Sequence, residues 1–155
     1  MQIEYLADHP ELIARLARLH FEQWGYLRPG ETLEERTRRL EACSGRRSVP
    51  SVVVALEAGE LLGSAMLVAN DMAARPNLTP WLAGVYVVAS ARGHGCGPAL
   101  VSSIESEAAA LGVSRLYLYT PDAVDFYSGL GWTVDEHYRY LGSGVTVMSK
   151  LLETV

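Results

Sequence analysis

Three glycines and an arginine stand together where an apolar run gives way to a helical pattern, in the segment Arg92-Gly93-His94-Gly95-Cys96-Gly97. A glycine-bearing loop that opens a helix exposes several backbone N–H groups, and the helix dipole adds partial positive charge at the same end. Glycine lets the backbone approach phosphate oxygens closely, and Arg92 supplies a fixed cation. The segment is therefore predicted to bind a pyrophosphate. A tight turn between a strand and a helix is the alternative that this loop alone leaves open.

The spacing of these glycines excludes two common kinds of phosphate site. A dinucleotide-binding fold carries the pattern G-x-G-x-x-G, whereas the glycines here fall at the alternate positions 93, 95 and 97. A P-loop continues with Gly-Lys and then Ser or Thr, and no such residues follow. Neither a Rossmann dinucleotide site nor a P-loop is supported.

A second segment, about thirty residues further on, gives the loop its context. It reads Asp125-Phe126-Tyr127-Ser128-Gly129-Leu130-Gly131-Trp132. The first segment has the pattern Arg-x-x-Gly-x-Gly after an apolar strand, and the second follows it by about thirty residues. With both segments at this separation, the chain resembles the GNAT N-acetyltransferase superfamily. The first segment resembles that family's acetyl-CoA pyrophosphate motif, and the second its Phe-Tyr-x-x-Leu-Gly-Phe segment, with Trp132 in the last place. The resemblance covers roughly residues 51 to 151 and extends to the element order of the whole chain.

The resemblance implies an enzyme that moves an acetyl group from acetyl-CoA to a primary amine by direct attack on the thioester. It implies that the backbone of Val85, Tyr86 and Val87 pairs with the pantetheine arm, and that an N–H near Val87 polarises the thioester carbonyl. Tyr127 matches the tyrosine that protonates the departing thiolate. The alternative for Tyr127 is a core aromatic residue with a hydrogen-bonded hydroxyl. Thr120 stands where the family often has an asparagine that contacts the cofactor, so a hydroxyl would make a shorter contact there.

Cys96 and His94 could suggest a different chemistry. A thiol near a helix N-terminus can have a lowered pKa. Acyl transfer through a cysteine would, however, need a histidine and an acid beside it. Cys96 is therefore predicted to fill space beneath the loop, and His94 to be a solvated loop residue.

The acceptor side is less determined by the sequence. Trp24 and Tyr26 end the first helix, in the stretch where the family builds its acceptor pocket. Trp24 could equally belong to the hydrophobic core. Tyr26 is therefore the better candidate for the acceptor pocket. Asp71 lies in the long loop before the cofactor strand, and Trp81 follows it. These four residues are the predicted acceptor-binding set, a small-molecule or peptide amine being the predicted partner.

The base that deprotonates the amine has several candidates. They are Asp71, Glu136, His137, Tyr86 and a chain of water molecules. For Asp71 a turn-forming role is at least as good an interpretation.

The elements that must position these residues follow from hydrophobic periodicity and turn signals. Their order is β-α-α-β-β-β-α-β-α-β-β, a mixed α/β (α+β) class. The resemblance implies the GNAT fold: a central mixed, mostly antiparallel sheet of six to seven strands, splayed at the cofactor strand and flanked by about four helices. The uncharged run Trp81–Val88 is predicted to be a strand buried on both faces. The other predicted strands are Gln2–Leu6, Ser51–Leu56, Leu61–Ala69, Arg115–Tyr119, Trp132–Leu141 and Val145–Leu151, and the predicted helices are Glu11–Trp24, Thr32 to about Ala42, Gly95–Leu111 and Asp122–Leu130.

Composition sets the class of protein. The 155 residues suit one domain, 1–155, and 49% apolar with 20% charged residues is an ordinary globular composition. A net charge of −5 argues against nucleic acid and slightly favours a cationic acceptor. Six of the twelve arginines fall between Arg28 and Arg47. They are predicted to form a solvated helix face and loop, with a docking patch for an acidic substrate as the alternative.

Cysteine content and hydropathy bear on compartment and partners. Cys43 and Cys96 fit a reducing cytoplasm and do not match a zinc-ligand spacing, so no metal is expected. No apolar stretch is long enough to suggest a membrane span. The apolar closing hairpin could supply a homodimer interface. The rival functions are a non-catalytic module of the same fold that senses acetyl-CoA, and acylation of protein or peptide N-termini instead of a small amine.

Overall fold

Apolar runs and turn residues alternate along the chain and give seven strands and four helices. The computed structural model describes residues 1–153; Thr154 and Val155, the end of the predicted domain, lie outside the described residues. Within residues 1–153, no helix is long and apolar enough to cross a membrane. The strands are β1 (Gln2–Tyr5), β2 (Ser51–Glu57), β3 (Glu60–Val68), β4 (Trp81–Val87), β5 (Arg115–Thr120), β6 (Thr133–Tyr140) and β7 (Ser143–Leu151), and the helices are α1 (Ile13–Trp24), α2 (Leu33–Ala42), α3 (Cys96–Ala110) and α4 (Val124–Gly129).

The strands form one sheet in the order β1-β2-β3-β4-β5-β7-β6. All neighbours are antiparallel except β4 and β5, which are parallel. β4 and β5 pair only at Trp81 and Tyr117, while β5 pairs with β7 along its whole length. The two strands therefore separate beyond Trp81 and leave a slot. The predicted mixed, mostly antiparallel sheet splayed at the cofactor strand is confirmed.

The prediction that the cofactor strand is buried on both faces is right only at its start. Trp81 and Leu82 are buried, whereas every residue from Ala83 to Val87 is half-buried. The reason is the separation of β4 from β5, which opens this part of the strand to the slot. An apolar run does not reveal whether a neighbouring strand stays alongside it.

The helix ends follow their local chemistry. The hydroxyl of Thr32 accepts a hydrogen bond from the N–H of Glu35 at 3.1 Å and donates to its carboxylate at 3.2 Å, so Thr32 caps the start of α2. α1 begins at Ile13, two residues later than predicted, because Pro10–Leu12 forms a 3₁₀ turn. Each helix that flanks the slot thus has a defined end.

The helices divide between the two faces of the sheet. α3 packs Leu100 and Ile104 into one buried cluster, and α1 and α2 pack Leu16 and Leu40 into another. The glycine-bearing loop that precedes α3 is therefore carried on one face, whereas the arginine-rich α2 is carried on the other. The glycine-bearing loop and α2 therefore approach the slot from opposite faces of the sheet.

Candidate functional site

A cavity of about 440 Å³ lies at the slot between β4 and β5. It receives side chains from α1, α2, the loop after β3, β4, β5 and α4. The predicted site residues that line it are Trp24, Asp71, Val85, Thr120 and Tyr127. Residues from separate parts of the sequence thus meet in one concave site.

The glycine-bearing loop lies at the end of β4 and leads into α3. Gly93 and Gly95 have φ angles of +80° and +85°, and a Cβ at either position would have no heavy atom within 4 Å. Glycine is needed there for conformation and not for space. Within residues 1–153, the N–H groups of Gly93 to Gly97 find no backbone acceptor. A row of free N–H groups at a helix N-terminus fits a phosphate group.

Contacts of Arg92 and Gly97 join this loop to the rest of the site. Nε of Arg92 donates to the carbonyl oxygen of Val87 at 3.0 Å, so the side chain lies over the end of β4. A Cβ on Gly97 would lie 3.2 Å from the ring of Phe126. That ring is 4.9 Å from the ring of Tyr127, centroid to centroid. The loop, the strand and Tyr127 form a continuous surface.

Cys96 and His94 take the positions predicted for them. Cys96 is buried and His94 is exposed. Burial raises the pKa of the Cys96 thiol, the opposite of what an activated cysteine requires. The loop therefore offers backbone donors and a cation, and no nucleophile.

Tyr127 has the features of a proton donor. Its side chain is 8% exposed and lines the cavity, where it packs against Phe126 and Trp132. Burial raises the pKa of its hydroxyl well above the ordinary value, so the phenol stays protonated at neutral pH. No hydrogen bond from this hydroxyl to another of residues 1–153 is present. The alternative interpretation, a core tyrosine with a hydrogen-bonded hydroxyl, requires a hydrogen bond that these residues do not make.

Thr120 holds the turn that leads to Tyr127. Its hydroxyl oxygen accepts a hydrogen bond from the N–H of Ala123 at 2.9 Å, immediately before α4. The residue is buried and also lines the cavity. Its hydroxyl hydrogen is free to point toward a ligand while its oxygen fixes the start of α4.

A β-bulge shapes β4 beside the cavity. The register with β3 shifts between Ser64 and Met66, opposite Gly84, whose φ is +57°. The hydroxyl of Ser64 donates to the carbonyl oxygen of Gly84 at 2.8 Å, and Nε2 of His20 lies 2.8 Å from the same hydroxyl. Since serine has one hydroxyl hydrogen, His20 must donate from Nε2. This chain of hydrogen bonds ties the bulge to α1.

His20 is fully buried and neutral. Burial, with smaller contributions in the same direction from Arg36 and Arg39, lowers its pKa to about 3. Its Nδ1 has no hydrogen-bond partner within residues 1–153. The sequence reasoning missed this residue. A signal was present, because His20 lies four residues from both Leu16 and Trp24, on the buried face of the helix.

Asp71 is the predicted base that reaches the cavity. Its side chain is 15% exposed and accepts a hydrogen bond from Arg28 at 3.2 Å. Burial raises the pKa of this carboxyl to about 6, outweighing the guanidinium groups of Arg28, Arg39 and Arg36. It can therefore gain or lose a proton close to neutral pH.

The other side-chain candidates for the base have different surroundings. Glu136 accepts two hydrogen bonds from Arg75, at 2.6 and 2.9 Å, and these lower its pKa. His137 contacts Thr146 across the β6–β7 hairpin, and neither it nor Glu136 lines the cavity. Tyr86 turns its ring toward Trp24, with the centroids 6.0 Å apart. Asp71 is thus the best placed of the four.

Two predicted acceptor-binding residues lie elsewhere. Trp81 is fully buried, packs against Tyr117 and donates from its indole nitrogen to the carbonyl of Leu78 at 2.6 Å. Tyr26 is 58% exposed. Neither residue lines the cavity, so their assignment to acceptor binding stays a prediction. Trp81 packs at the one point where β4 and β5 still pair, and the 3₁₀ turn Gly25–Leu27 directs Tyr26 outward.

The prediction of a solvated arginine face is wrong for Arg36, whose side chain is 9% exposed. Arg28, Arg36 and Arg39 line the cavity, whereas the others of the cluster, Arg38, Arg46 and Arg47, are exposed. Glu31 accepts from Arg36 at 2.5 Å and from Arg39 at 2.6 Å. A signal was again available, because Arg36 lies between Leu33 and Leu40 at helical spacing on the buried face.

The described residues, 1–153, contain no group of three or more His, Cys, Asp or Glu placed to hold a metal ion. The polar groups of the cavity are instead guanidinium groups, single carboxylates, hydroxyls and backbone amides. Such a set can bind an anion, accept one proton and donate another.

Comparisons with known proteins agree with this geometry. A model of the acetyltransferase (GNAT) family matches residues 13–132. No curated protein matches the chain significantly. Among solved structures, the chain is similar to an aminoglycoside 6'-N-acetyltransferase complexed with coenzyme A, with a TM-score of 0.79, 18% identity, and 100% of this chain and 99% of that chain covered. It is also similar to the aminoglycoside 6'-N-acetyltransferase from Enterococcus faecium, with a TM-score of 0.74, 19% identity, and coverage of 100% and 99%.

The name of a third similar structure gives a different acceptor. It is the ribosomal-protein-alanine N-acetyltransferase from Brucella melitensis, with a TM-score of 0.73, 23% identity, and 98% of this chain and 100% of that chain covered. At these identities the likeness is one of fold. The chain matches whole structures and not a fragment of them.

Proposed function

Because the chain belongs to the acetyltransferase (GNAT) family, we propose that it transfers an acetyl group from acetyl-CoA to a primary amine. The observation that carries this proposal is the slot between β4 and β5. Its cavity has a buried, protonated tyrosine and a carboxylate with a raised pKa, and the row of free N–H groups lies close by, at the end of β4. The complex with coenzyme A named for one similar structure supports the choice of acyl donor.

The edge of β4 fits the donor. The N–H of Val88 donates to Leu62 on β3, whereas the carbonyl oxygen of Val87 accepts from Arg92 instead of from β3. Since the polar groups of successive residues in a strand point to opposite edges, the N–H of Val87 is directed toward the slot. A pantetheine arm can pair with this edge as another strand would, and the Val87 N–H can polarise the thioester carbonyl. The loop Arg92–Gly97 then receives the pyrophosphate.

The reaction needs one proton acceptor and one proton donor. The amine nitrogen attacks the thioester carbonyl carbon, so that the C–N bond forms and the C–S bond breaks. Asp71 accepts the proton lost by the amine, directly or through water. Tyr127 donates its hydroxyl proton to the departing sulfur of coenzyme A. At neutral pH Asp71, with its pKa raised to about 6, is ionised and Tyr127 is protonated, so each group starts in the protonation state that its role requires.

The test has a binding arm and a turnover arm. Acetyl-CoA at 100 times its dissociation constant should stabilise the protein by about 2.7 kcal/mol, which thermal unfolding measures. No shift at millimolar acetyl-CoA would overturn the proposal. In the turnover arm, release of coenzyme A is followed with a panel of primary amines. Binding without turnover of any amine would favour the rival of a non-catalytic sensor.

Tyr127→Phe tests the proton donor. It should lower kcat by about 100-fold or more, because a general acid contributes on that order, while acetyl-CoA affinity stays within about threefold. Tyr138→Phe removes a hydroxyl from β6, outside the cavity, and should change neither quantity. If Tyr127→Phe keeps full turnover at every pH, the assignment of the acid is wrong.

A further inference from the structure

Arginines dominate the end of the cavity that α1 and α2 build. Arg28, Arg36 and Arg39 all line it, while the carboxylates beside them are Asp71 and Glu31. When both carboxylates are ionised, three positive charges face two negative ones. A guanidinium group removed from water is stable only with a hydrogen-bonded anionic partner. This end of the cavity therefore attracts an anion, although the whole chain carries a net charge of −5.

The hydrogen bonds identify which arginines can hold that anion. Glu31 uses one carboxylate oxygen for Arg36 and the other for Arg39. The Arg36 side chain is 9% exposed, so it serves chiefly to hold Glu31 in place. The Arg39 side chain is 41% exposed and donates one hydrogen bond, from Nη1, to that carboxylate. Arg28 likewise donates one hydrogen bond, to Asp71 at 3.2 Å.

A guanidinium group has five N–H donors in a planar fork that matches a carboxylate. Arg28 and Arg39 each use one of the five in the ion pairs just described, and both line the cavity. The walls between them are apolar, formed by Trp24, Leu27 and Leu40. Such a site can bind the two oxygens of a carboxylate at one end and a short carbon chain along the apolar wall.

We infer that the acceptor is a small amine that also carries a carboxylate, bound by Arg28 and Arg39. This inference rests on the proposed function, because Asp71 is taken to receive the amine. Asp71 lies against Arg28, so the amine and the carboxylate of the acceptor must be only a few bonds apart, as in an amino acid. A polyamine such as an aminoglycoside would place further ammonium groups against the guanidinium groups and be repelled.

The experiment compares matched acceptors. Amino acids are tested against their carboxamides and against alkylamines of the same length, with one aminoglycoside as the polyamine. The value of kcat/KM should be about tenfold or more higher for the carboxylate member of each pair, as expected for loss of a charge-assisted bidentate contact. Equal values within the pairs, or a preference for the aminoglycoside, would overturn the inference and leave acetyl transfer standing.

The key variant is Arg39→Gln, because Arg28 donates a hydrogen bond to Asp71 and its removal would disturb the base directly. Arg39→Gln should bring the ratio of kcat/KM between the carboxylate and carboxamide members of each pair to about one, and this ratio cancels any effect of the change on Asp71 that both members share. Arg39→Lys should restore part of the preference, since lysine keeps the charge and loses the fork. Arg38→Gln is the matched control, because Arg38 is exposed on the same helix and does not line the cavity. A preference that survives Arg39→Gln contradicts the inference.

A second measurement does not depend on turnover. Calorimetric titration of the same amino acids into the wild-type protein and the Arg39→Gln variant, with acetyl-CoA absent, should give about tenfold weaker binding to the variant. Equal binding overturns the inference. If acetyl-CoA neither binds nor yields coenzyme A with any amine, the proposed function fails, and the titration still decides whether the cavity recognises a carboxylate.

Discussion

The site has a donor end, at the loop beside the cavity, and an acceptor end within the cavity, and the two are built in different ways. The donor end uses one continuous loop, Arg92–Gly97, and Tyr127 further along the chain, and its proposed ligand contacts are largely backbone N–H groups. The acceptor end takes Trp24 from α1, arginines from the following turn and α2, and Asp71 from the loop after β3. Its contacts are side chains. The donor end can therefore be recognised as a motif, whereas the acceptor end exists only where the segments meet.

Charge separates the two ends as well. Around the loop, the cation is Arg92 and the remaining donors are uncharged amides. At the acceptor end, the charged groups are close enough that burial and neighbouring guanidinium groups determine the pKa of Asp71. A change at the donor end should alter binding, and a change at the acceptor end should alter both binding and pH dependence.

The largest effect is expected for Asp71→Asn. It should lower kcat/KM for the amine by about 100-fold, the contribution of a general base. In the wild type, kcat/KM should rise with pH and level off above about 6. The direction follows because burial disfavours the charged carboxylate and raises its pKa to about 6, against the nearby Arg28, Arg39 and Arg36, so that Asp71 is protonated and unable to accept a proton at lower pH.

The pH profile at saturating acetyl-CoA checks this prediction. The rise near pH 6 should be absent from Asp71→Asn. Asp135→Asn, on the exposed surface of β6, is the control and should keep it. If the rise persists unchanged in Asp71→Asn, the base is another group. If Asp71→Asn raises only KM, Asp71 acts as an ion-pair partner of Arg28 and not as the base.

A smaller effect, confined to the donor end, is expected for Gly95→Ala. Gly95 has a φ of +85° and open space around its Cβ position, so the change strains the backbone without a clash. The distorted loop should raise the KM for acetyl-CoA about tenfold and destabilise the protein by about 1 kcal/mol. Steady-state kinetics and urea unfolding measure the two effects.

Gly112→Ala is the matched control for this change. Gly112 has a φ of +84°, is equally open and lies just beyond the other end of α3. It should lose similar stability with no change in KM. Equal KM changes in the two variants would mean that the loop affects the donor only through the stability of the fold.

An effect on stability, and not on catalysis, is expected at His20, which ties the bulge of β4 to α1. Burial lowers its pKa from 6.5 to about 3 in the folded state, so below pH 6.5 the unfolded chain binds a proton that the folded chain does not. Stability should fall as pH falls below about 6.5. Between pH 7 and pH 5 this one residue should cost about 2 kcal/mol of the free energy of unfolding.

His20→Gln keeps an N–H donor for Ser64 and has no charge to gain. Urea unfolding at pH 7 and pH 5 should show a weaker loss of stability at pH 5 for the variant than for the wild type. His9→Gln should change the pH dependence in the opposite direction, because the hydrogen bond that His9 donates to Glu4 raises the pKa of His9. Identical pH dependence of His20→Gln and the wild type would mean that His20 is not held neutral.

Several features of the fold were predictable because their causes are local. Thr32 caps α2 through hydrogen bonds with Glu35, three residues further on. Gly93 and Gly95 adopt positive φ angles that other residues rarely take. The order of strands and helices follows from apolar periodicity in the same way. The exact ends of the elements were less predictable. After the turn at Leu141 and Gly142, β7 begins at Ser143, two residues earlier than predicted.

The features that the sequence left open concern which neighbour a side chain meets. Trp81 and Tyr26 were predicted to contact the acceptor; Trp81 is fully buried, Tyr26 is exposed and neither lines the cavity, so both assignments stay predictions. Arg36 and Arg39 have the composition of a solvated helix face, yet Glu31 and the packing of α2 place them at the cavity. Amino-acid type alone does not distinguish a solvated arginine from one paired with a buried carboxylate.

The sequence by itself determined the order of the elements, the glycine-bearing turn Arg92–Gly97 at the start of a helix and the candidate Tyr127, because these depend on backbone conformation, helix polarity and contiguous motifs. The tertiary structure decided the slot between β4 and β5, the neutral state of His20, the raised pKa of Asp71 and the arginines of the acceptor end. Burial and charge pairing control these properties, and both are set by residues far apart in the chain that only folding brings into contact.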